Sequence, residues 1–260
     1  MTTQTPPVLE ARGILKRFGQ VEALRGADFT VGQGEVVALM GDNGAGKSTL
    51  VKTLSGVLQP DGGTILIQGE EVHFHNPVEA REHGVETVYQ DLALADTLNP
   101  TANLFLGREL RRKGALGRLG VLDNRAMRTQ AAEVFATLNV TVRADHGAVG
   151  NLSGGQRQGV AVCRAVTWAH RVLFLDEPTA ALGVQQTRNV LDMVRKVRDR
   201  GVSVVIISHS VPEVLEVADR IEVFRLGRRV AVLQAATTTA LDVVAAITGA
   251  GDATTEGADL

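Results

Sequence analysis

The sequence predicts an α/β fold: a parallel sheet covered by helices on both faces, an antiparallel β subdomain before it and an α-helical subdomain inserted within it. Three observations carry this. Near-continuous apolar runs at Val36 to Met40, Val172 to Leu175, Ser203 to Ser208 and Arg220 to Leu226 are what strands buried on both faces require. Helical stretches at about Val184 to Arg200 and Val211 to Ala218 separate the last three, the alternation of a parallel sheet. Between Leu92 and Thr167 the strand signal gives way to helical periodicity, clearest from Asn124 to Leu138, where Ala131, Val134, Phe135 and Leu138 share one face.

In chain order, Val8 to Thr30 reads as short strands with turn residues at Gly13, Gly19 and Gly26, the β layer ahead of the buried strand at Val36 to Met40. Asp61-Gly62-Gly63 is a turn signal before Thr64 to Ile67, and Gly69 separates that run from Val72 to His75, so a second hairpin is expected. Asn76 as N-cap and Pro77 at the first position open a short helix to His83, and the strand Val85 to Tyr89 follows, ending at Gln90. One domain is expected over residues 8–249, with the helical subdomain at about 92–167 and flexible termini at 1–7 and 250–260. No internal repeat is visible.

With 260 residues, 44% of them hydrophobic, the chain can bury a sizeable core. Twenty-seven Lys and Arg against 29 Asp and Glu leave a net charge of −2, which gives no support to nucleic-acid binding. The single cysteine, Cys163, excludes an internal disulfide, fits a reducing cytoplasm and reads as a small packing residue. No run reaches the ~18 apolar residues of a membrane-spanning helix, and residues 1–7 lack the charged and apolar regions of a signal peptide.

The chemistry sits in short segments. Gly41-Asp42-Asn43-Gly44-Ala45-Gly46-Lys47-Ser48-Thr49 fits G-x-x-x-x-G-K-[ST] and joins the apolar run to a helix-like stretch, as a phosphate loop must. Its glycines let successive N–H groups wrap phosphate oxygens; Lys47 would reach the β and γ phosphates and Ser48 would ligate Mg²⁺. The run Val172 to Leu175 ends in Asp176 and Glu177 at the carboxyl edge of a buried strand, where α/β sheets bind ligands. Asp176 would hold Mg²⁺ through its water shell, leaving Glu177 to polarise the attacking water. Leu152-Ser153-Gly154-Gly155-Gln156 opens another helix, with Ser153 as N-cap and two glycines leaving amides bare, a second anion-facing terminus.

Together these segments make the chain resemble the ATP-binding cassette (ABC) ATPases, P-loop NTPases, from Val8 to about Gly249; LSGGQ is the feature that separates this family from other P-loop proteins. The resemblance implies ATP and Mg²⁺ as cofactors. It implies that Phe18 stacks on adenine, that Gln90 touches Mg²⁺ and the water while reporting to a membrane partner, and that His209 contacts the γ-phosphate. It further implies two subunits bound head to tail, each offering Ser153, Gly154, Gly155 and Gln156 to the nucleotide on the other's Lys47, so that ATP closes a two-state switch and hydrolysis opens it. One departure stands out: where the family commonly has Ser-Ala-Leu-Asp, this chain reads Ala180-Ala181-Leu182-Gly183, so either its subgroup tolerates the glycine or coupling between subunits is weaker, and the intact Glu177, His209 and serine-glycine motif favour the first.

The run Ala180 to Thr187, the segment Gln90 to Leu94 and the basic loop Arg108 to Arg118 are similar to cassettes of bacterial ribose, xylose and fructose importers. By that resemblance the chain energises sugar import at the cytoplasmic face of the cell membrane. Its partners are an integral membrane permease, an extracytoplasmic solute-binding protein acting indirectly, and a second cassette, as homodimer or mixed pair. Arg108, Arg111, Arg112, Lys113 and Arg118 read by default as a solvated face, with a phospholipid or permease contact as the alternative. Two other classes compete. A cassette acting on ribosomes or DNA would carry a second cassette or a long insertion, and a regulatory module without turnover would not need Glu177.

Overall fold

The computed structural model describes residues 6–145, 147–180 and 182–250. The leading residues 1–5 and the acidic tail from 251 onward, expected to be flexible, lie outside the described residues, as does Ala181.

Two sheets form. The first is antiparallel, with β1 (Leu9–Phe18), β2 (Val21–Val31), β4 (Gly62–Ile67) and β5 (Glu70–Val72) in the order β2-β1-β4-β5. The second contains β3 (Val36–Gly41), β6 (Val85–Val88), β7 (Val172–Asp176), β8 (Ser203–Ile207), β9 (Arg220–Arg225) and β10 (Arg228–Gln234), ordered β10-β9-β3-β8-β7-β6. All its pairings are parallel except β9 with β10.

Side-chain alternation explains how the apolar runs bury both faces of the second sheet. Val36, Ala38 and Met40 of β3, Leu173 and Leu175 of β7, and Val204 and Ile206 of β8 join one apolar cluster. The intervening Val37, Leu39, Val172, Phe174, Val205 and Ile207 join another. The first cluster is completed by α5 (Asn124–Thr137), α6 (Gly154–Trp168), α7 (Val184–Asp199) and α8 (Val211–Val217), through residues such as Phe135, Val162, Val194 and Val214. The second takes Leu50, Val51 and Leu54 of α1 (Lys47–Leu54) and the inner face of the antiparallel sheet, including Leu9, Ile14 and Phe29. The helix behind the phosphate loop is thus clamped between the two sheets. Glu222 of β9, fully buried, ties the sheets by accepting from the Thr30 amide (3.2 Å) and hydroxyl (3.1 Å) and pairing with Arg220 and Arg229. Burial opposes the charge on Arg220, yet its bonds to Glu35 and Glu222 raise its pKa.

Some sequence expectations are corrected. Gly13 and Gly26 interrupt no strand: both lie inside continuous strands at irregularities in the pairing, with φ of 59° and 81°, and only Gly19 falls in the β1–β2 turn. At Gly13 the positive φ turns its amide to donate to Asp28 Oδ1 at 2.8 Å, the geometry of a bulge. Likewise Gly62 and Gly63, read as a turn, begin β4, and the second hairpin strand is Glu70–Val72, not Val72 to His75. The boundaries of β6, α7 and α8 fall within one or two residues of expectation.

Between β6 and β7 lie α3 (Pro100–Phe105), α4 (Ala115–Arg118), α5 and α6. Asn103, fully buried, fixes the approach to α3 by bonding Ala95 N and O at 2.8 and 3.1 Å. Arg108 departs from the solvated face expected of it: its guanidinium pairs with Glu86 at 2.8 Å and lies 4.8 Å from the Trp168 ring centre. Cys163 is buried, and burial pushes its thiol pKa up, as suits packing rather than reactivity. No helix among the described residues is long and apolar enough to cross a membrane.

Candidate active site

The phosphate loop springs from the buried end of β3. At Gly41, with φ 146°, a Cβ would sit 2.2 Å from the Phe224 carbonyl oxygen of β9, so only glycine lets the loop leave the sheet here. The Ala45 N–H donates to the Asp42 carbonyl (3.1 Å), which folds the loop over the start of α1. There the unpaired N–H groups of a helix N-terminus present positive charge.

Lys47 is buried, and its ammonium donates to the carbonyls of Gly41 (2.8 Å) and Asp42 (3.0 Å). Burial lowers its pKa; Glu177, Asp42 and Asp176 counteract this and keep an ammonium favourable. Two carbonyl bonds hold the cation where phosphate oxygens can replace them.

A hollow of about 360 Å³ is lined by Phe18, Val21, Glu22 and Ala23 from the β1–β2 hairpin, Asn43 to Thr49 from the loop and α1, and Glu177 and His209 from the ends of β7 and β8. Phe18 is 48% exposed, its ring facing solvent and the hollow rather than the core, with the Lys16 ammonium 5.8 Å from its centre. Val21, Glu22 and Ala23 escaped sequence reading, although a hairpin closing beside Phe18 was the available signal.

Glu177 carries the main strain. It adopts φ 49°, the left-handed region that a non-glycine residue occupies at a cost of about 1–2 kcal/mol. Its amide donates to the Ile207 carbonyl at 2.9 Å, and its Oε1 lies 2.7 Å from Nε2 of His209. The strained turn swings the carboxylate off the strand direction into the hollow, and the imidazole fixes its orientation.

Asp176, one residue earlier, does not line the hollow. It is partly buried; burial first, then the charge of Glu177, raises its pKa, with Lys52, Lys47 and His209 acting the other way. The folded state therefore binds this proton more tightly than the unfolded chain, so ionised Asp176 lowers stability above the ordinary carboxylate pKa, and acidification relieves it. Asp176→Asn is expected to raise the thermal midpoint at neutral pH in metal-free buffer and to narrow that gain as pH falls toward the carboxylate range. A midpoint that drops at pH 7 would contradict this.

Gln90 is exposed two residues beyond β6, whose Val88 pairs with Leu175 of β7, so it stands at the same carboxyl edge as Asp176 without reaching the hollow. The segment after it is anchored to α6: Arg164 donates to the carbonyls of Ala93 (2.7 Å) and Leu92 (2.9 Å).

Ser153, Gly155 and Gln156 lie elsewhere, on a separate hollow of about 280 Å³ shared with Val140, Gln186 and Asn189. A reciprocal cap orders this turn: Gln156 N–H donates to Ser153 Oγ (3.3 Å) and Ser153 N–H to Gln156 Oε1 (3.0 Å). Glycine at 155 and at 183 makes room for one side chain, since a Cβ at Gly155 would meet Gln186 Cγ at 2.7 Å and one at Gly183 would meet Gln186 Oε1 at 2.8 Å. Gly183 is the N-cap of α7 and supplies no side-chain bond. Gly183→Asp is therefore expected to cap α7 while displacing the flexible end of Gln186, for a net change in stability within a few tenths of a kcal/mol and with little change in turnover, as measured by chemical denaturation and phosphate release; a large gain in rate would show that the glycine weakens coupling between subunits.

A phosphate loop, a strained carboxylate and a histidine around one hollow define the nucleotide-hydrolysing class of P-loop proteins. The family model described as ABC transporter matches residues 24–180, and the chain belongs to that family. It is 50% identical over 246 residues to the fructose import ATP-binding protein FrcA of Rhizobium meliloti, covering 94% of this chain and 95% of that one. It is 44% identical over 221 residues to the xylose/arabinose import ATP-binding protein XylG of Sulfolobus acidocaldarius (85% and 86%). The ribose import ATP-binding protein RbsA 1 of Rubrobacter xylanophilus is also 44% identical, but the match spans 44% of its length. Among solved structures, a nucleotide-free ATP-binding cassette from an ABC transporter superposes with a TM-score of 0.77 at 25% identity, over 88% of this chain and 91% of that one.

Proposed function

We propose that the chain hydrolyses ATP to energise import of a sugar through a separate membrane permease. The observation that carries this reading is the near full-length, 50% identity to a fructose import ATP-binding protein, and the hollow gathering Lys47, Glu177 and His209 supports it. Residues 8–249 act as one cassette, peripheral to the membrane on its cytoplasmic side, paired with a second copy.

Phe18 stacks on adenine, and the amides of Gly41 to Thr49 with Lys47 hold the phosphates. Glu177 accepts the proton of the attacking water, and His209, already bonded to it, orients the carboxylate and faces the terminal phosphate. Ser48, Gln90 and Asp176 are all oxygen donors. Among the described residues no group of three or more His, Cys, Asp or Glu converges, and one carboxylate with hydroxyl and amide oxygens suits Mg²⁺, which takes its remaining ligands from phosphate and water. When bound there, Mg²⁺ would neutralise charge on the phosphates.

The test is sugar uptake in a strain deleted for this chain. Restoration by the parent chain and recovery of a many-helix permease with it from detergent extracts are expected. Uptake unaffected by the deletion would reject the transport assignment while leaving the hydrolase assignment to phosphate release.

A further inference from the structure

The loop at 107–123, between α3 and α5, has a built shape and an exposed apolar surface that the nucleotide site does not use. Its stem is closed by bonds from Arg112 N to Val121 O (2.9 Å) and from Asp123 N to Leu110 O (2.7 Å). Its tip is the single turn α4, where Val121 N donates to Leu116 O at 3.0 Å. The turn packs so closely that a Cβ on Gly117 would lie 1.7 Å from the Arg112 carbonyl oxygen.

On this frame Leu119 is 79% exposed, Leu116 48%, and Val121 and Leu122 39% each. Leu116 and Leu119, three apart, lie on one side of the turn. Such side chains gain nothing from being held in water. Five cationic residues stand in the loop against two carboxylates, in a chain whose net charge is −2. Both carboxylates are engaged locally: Glu109 accepts from the Gly107 amide (3.0 Å) and lies near Arg111, and Asp123 caps α5 through the Ala126 amide (3.0 Å). Arg108 is taken by Glu86 at the stem. Arg112, Lys113 and Arg118, all exposed, make no ion pair among the described residues.

We propose that this loop docks on an anionic phospholipid surface. Leu116 and Leu119 enter the headgroup layer, and Arg111, Arg112, Lys113 and Arg118 meet lipid phosphates. Paired apolar insertion and basic attraction is the combination that gives reversible membrane binding. A nucleic-acid surface fits less well, because the loop contains no aromatic residue to stack on a base. The proposal goes beyond the transport assignment, and its primary readout, vesicle flotation, needs neither permease nor nucleotide.

Purified full-length chain is floated with vesicles of one part phosphatidylglycerol to two parts phosphatidylcholine, and with phosphatidylcholine alone. Binding to the anionic vesicles only, weakened by salt, is expected. Replacing Arg111, Arg112, Lys113 and Arg118 together by Ser should reduce it about tenfold or more. Leu116→Ser with Leu119→Ser should reduce it separately, and ATP turnover should report intact folding in both variants. Absence of flotation, equal flotation of the variants, or equally tight binding of a DNA duplex would overturn the proposal. So would variants that keep vesicle binding yet lose recovery of the permease, because the partner would then be protein.

Discussion

Glu177→Gln is expected to slow steady-state phosphate release by roughly a hundredfold to ten-thousandfold, the span that a positioned general base contributes. ATP affinity should remain near that of the parent chain. The substitution keeps volume and one hydrogen-bond acceptor toward His209 Nε2, which lies 2.7 Å from the present carboxylate, and removes only the capacity to take a proton. Backbone strain at φ 49° is unchanged by it, since Gln and Glu differ by one terminal atom. The phosphate contacts proposed for Lys47 and the loop amides are untouched, so nucleotide should accumulate on the protein and the paired state should persist, visible by gel filtration. Equilibrium binding of a fluorescent ATP analogue and single-turnover phosphate release separate the two effects. Undiminished release would remove Glu177 from the role of base; lost binding would show that the residue holds nucleotide.

Complementation between two inactive chains is the second large effect. Lys47→Ala deletes a buried ammonium whose carbonyl partners would be left facing phosphate, and should abolish turnover. Gly154→Asp should abolish it differently. A Cβ at Gly154 meets nothing closer than Leu182 Cδ2 at 4.0 Å, so the folded chain accepts the side chain, while a carboxylate there repels a triphosphate presented by a partner. Ser153, Gly155 and Gln156 line a hollow separate from that of Lys47 within one chain. If the two hollows complete each other between chains, a mixture of the variants contains pairs with one intact composite site. About a quarter of parental activity should return from random pairing. A mixture as inactive as its components would mean that each chain works alone or that the motif faces no nucleotide.

Legibility in the sequence tracked how local the determining physics is. The runs at Val36, Val172 and Ser203 announced buried strands because residues facing both sides of a covered sheet must all be apolar, and the structure places them side by side as β3, β7 and β8. The phosphate loop was legible for a similar reason: glycine spacing and the following lysine are contiguous. Gly13 and Gly26 were misread because turns and bulges draw on the same positive φ, and which one forms depends on whether a partner strand runs alongside. β10 and α9 (Ala240–Thr248) were not anticipated. The first alternates between partly buried and exposed residues at a sheet edge, with no long apolar run to mark it.

Arg108 shows the same limit in a side chain. Its sequence neighbours are basic, but the residues that claim it, Glu86 and Trp168, are distant in sequence and adjacent only in the fold.

By itself the sequence determined the class of fold, the phosphate loop, the pair Asp176 and Glu177 and the capped turn at Ser153, because each is written in contiguous residues whose backbone preferences and burial pattern act over a few positions. Tertiary structure alone decided that Phe18, Lys47, Glu177 and His209 surround one hollow while Ser153 and Gln156 open onto another. Those distances are set by strand order and by the packing of α1 and α6 against the sheet, which depend on contacts between segments far apart along the chain.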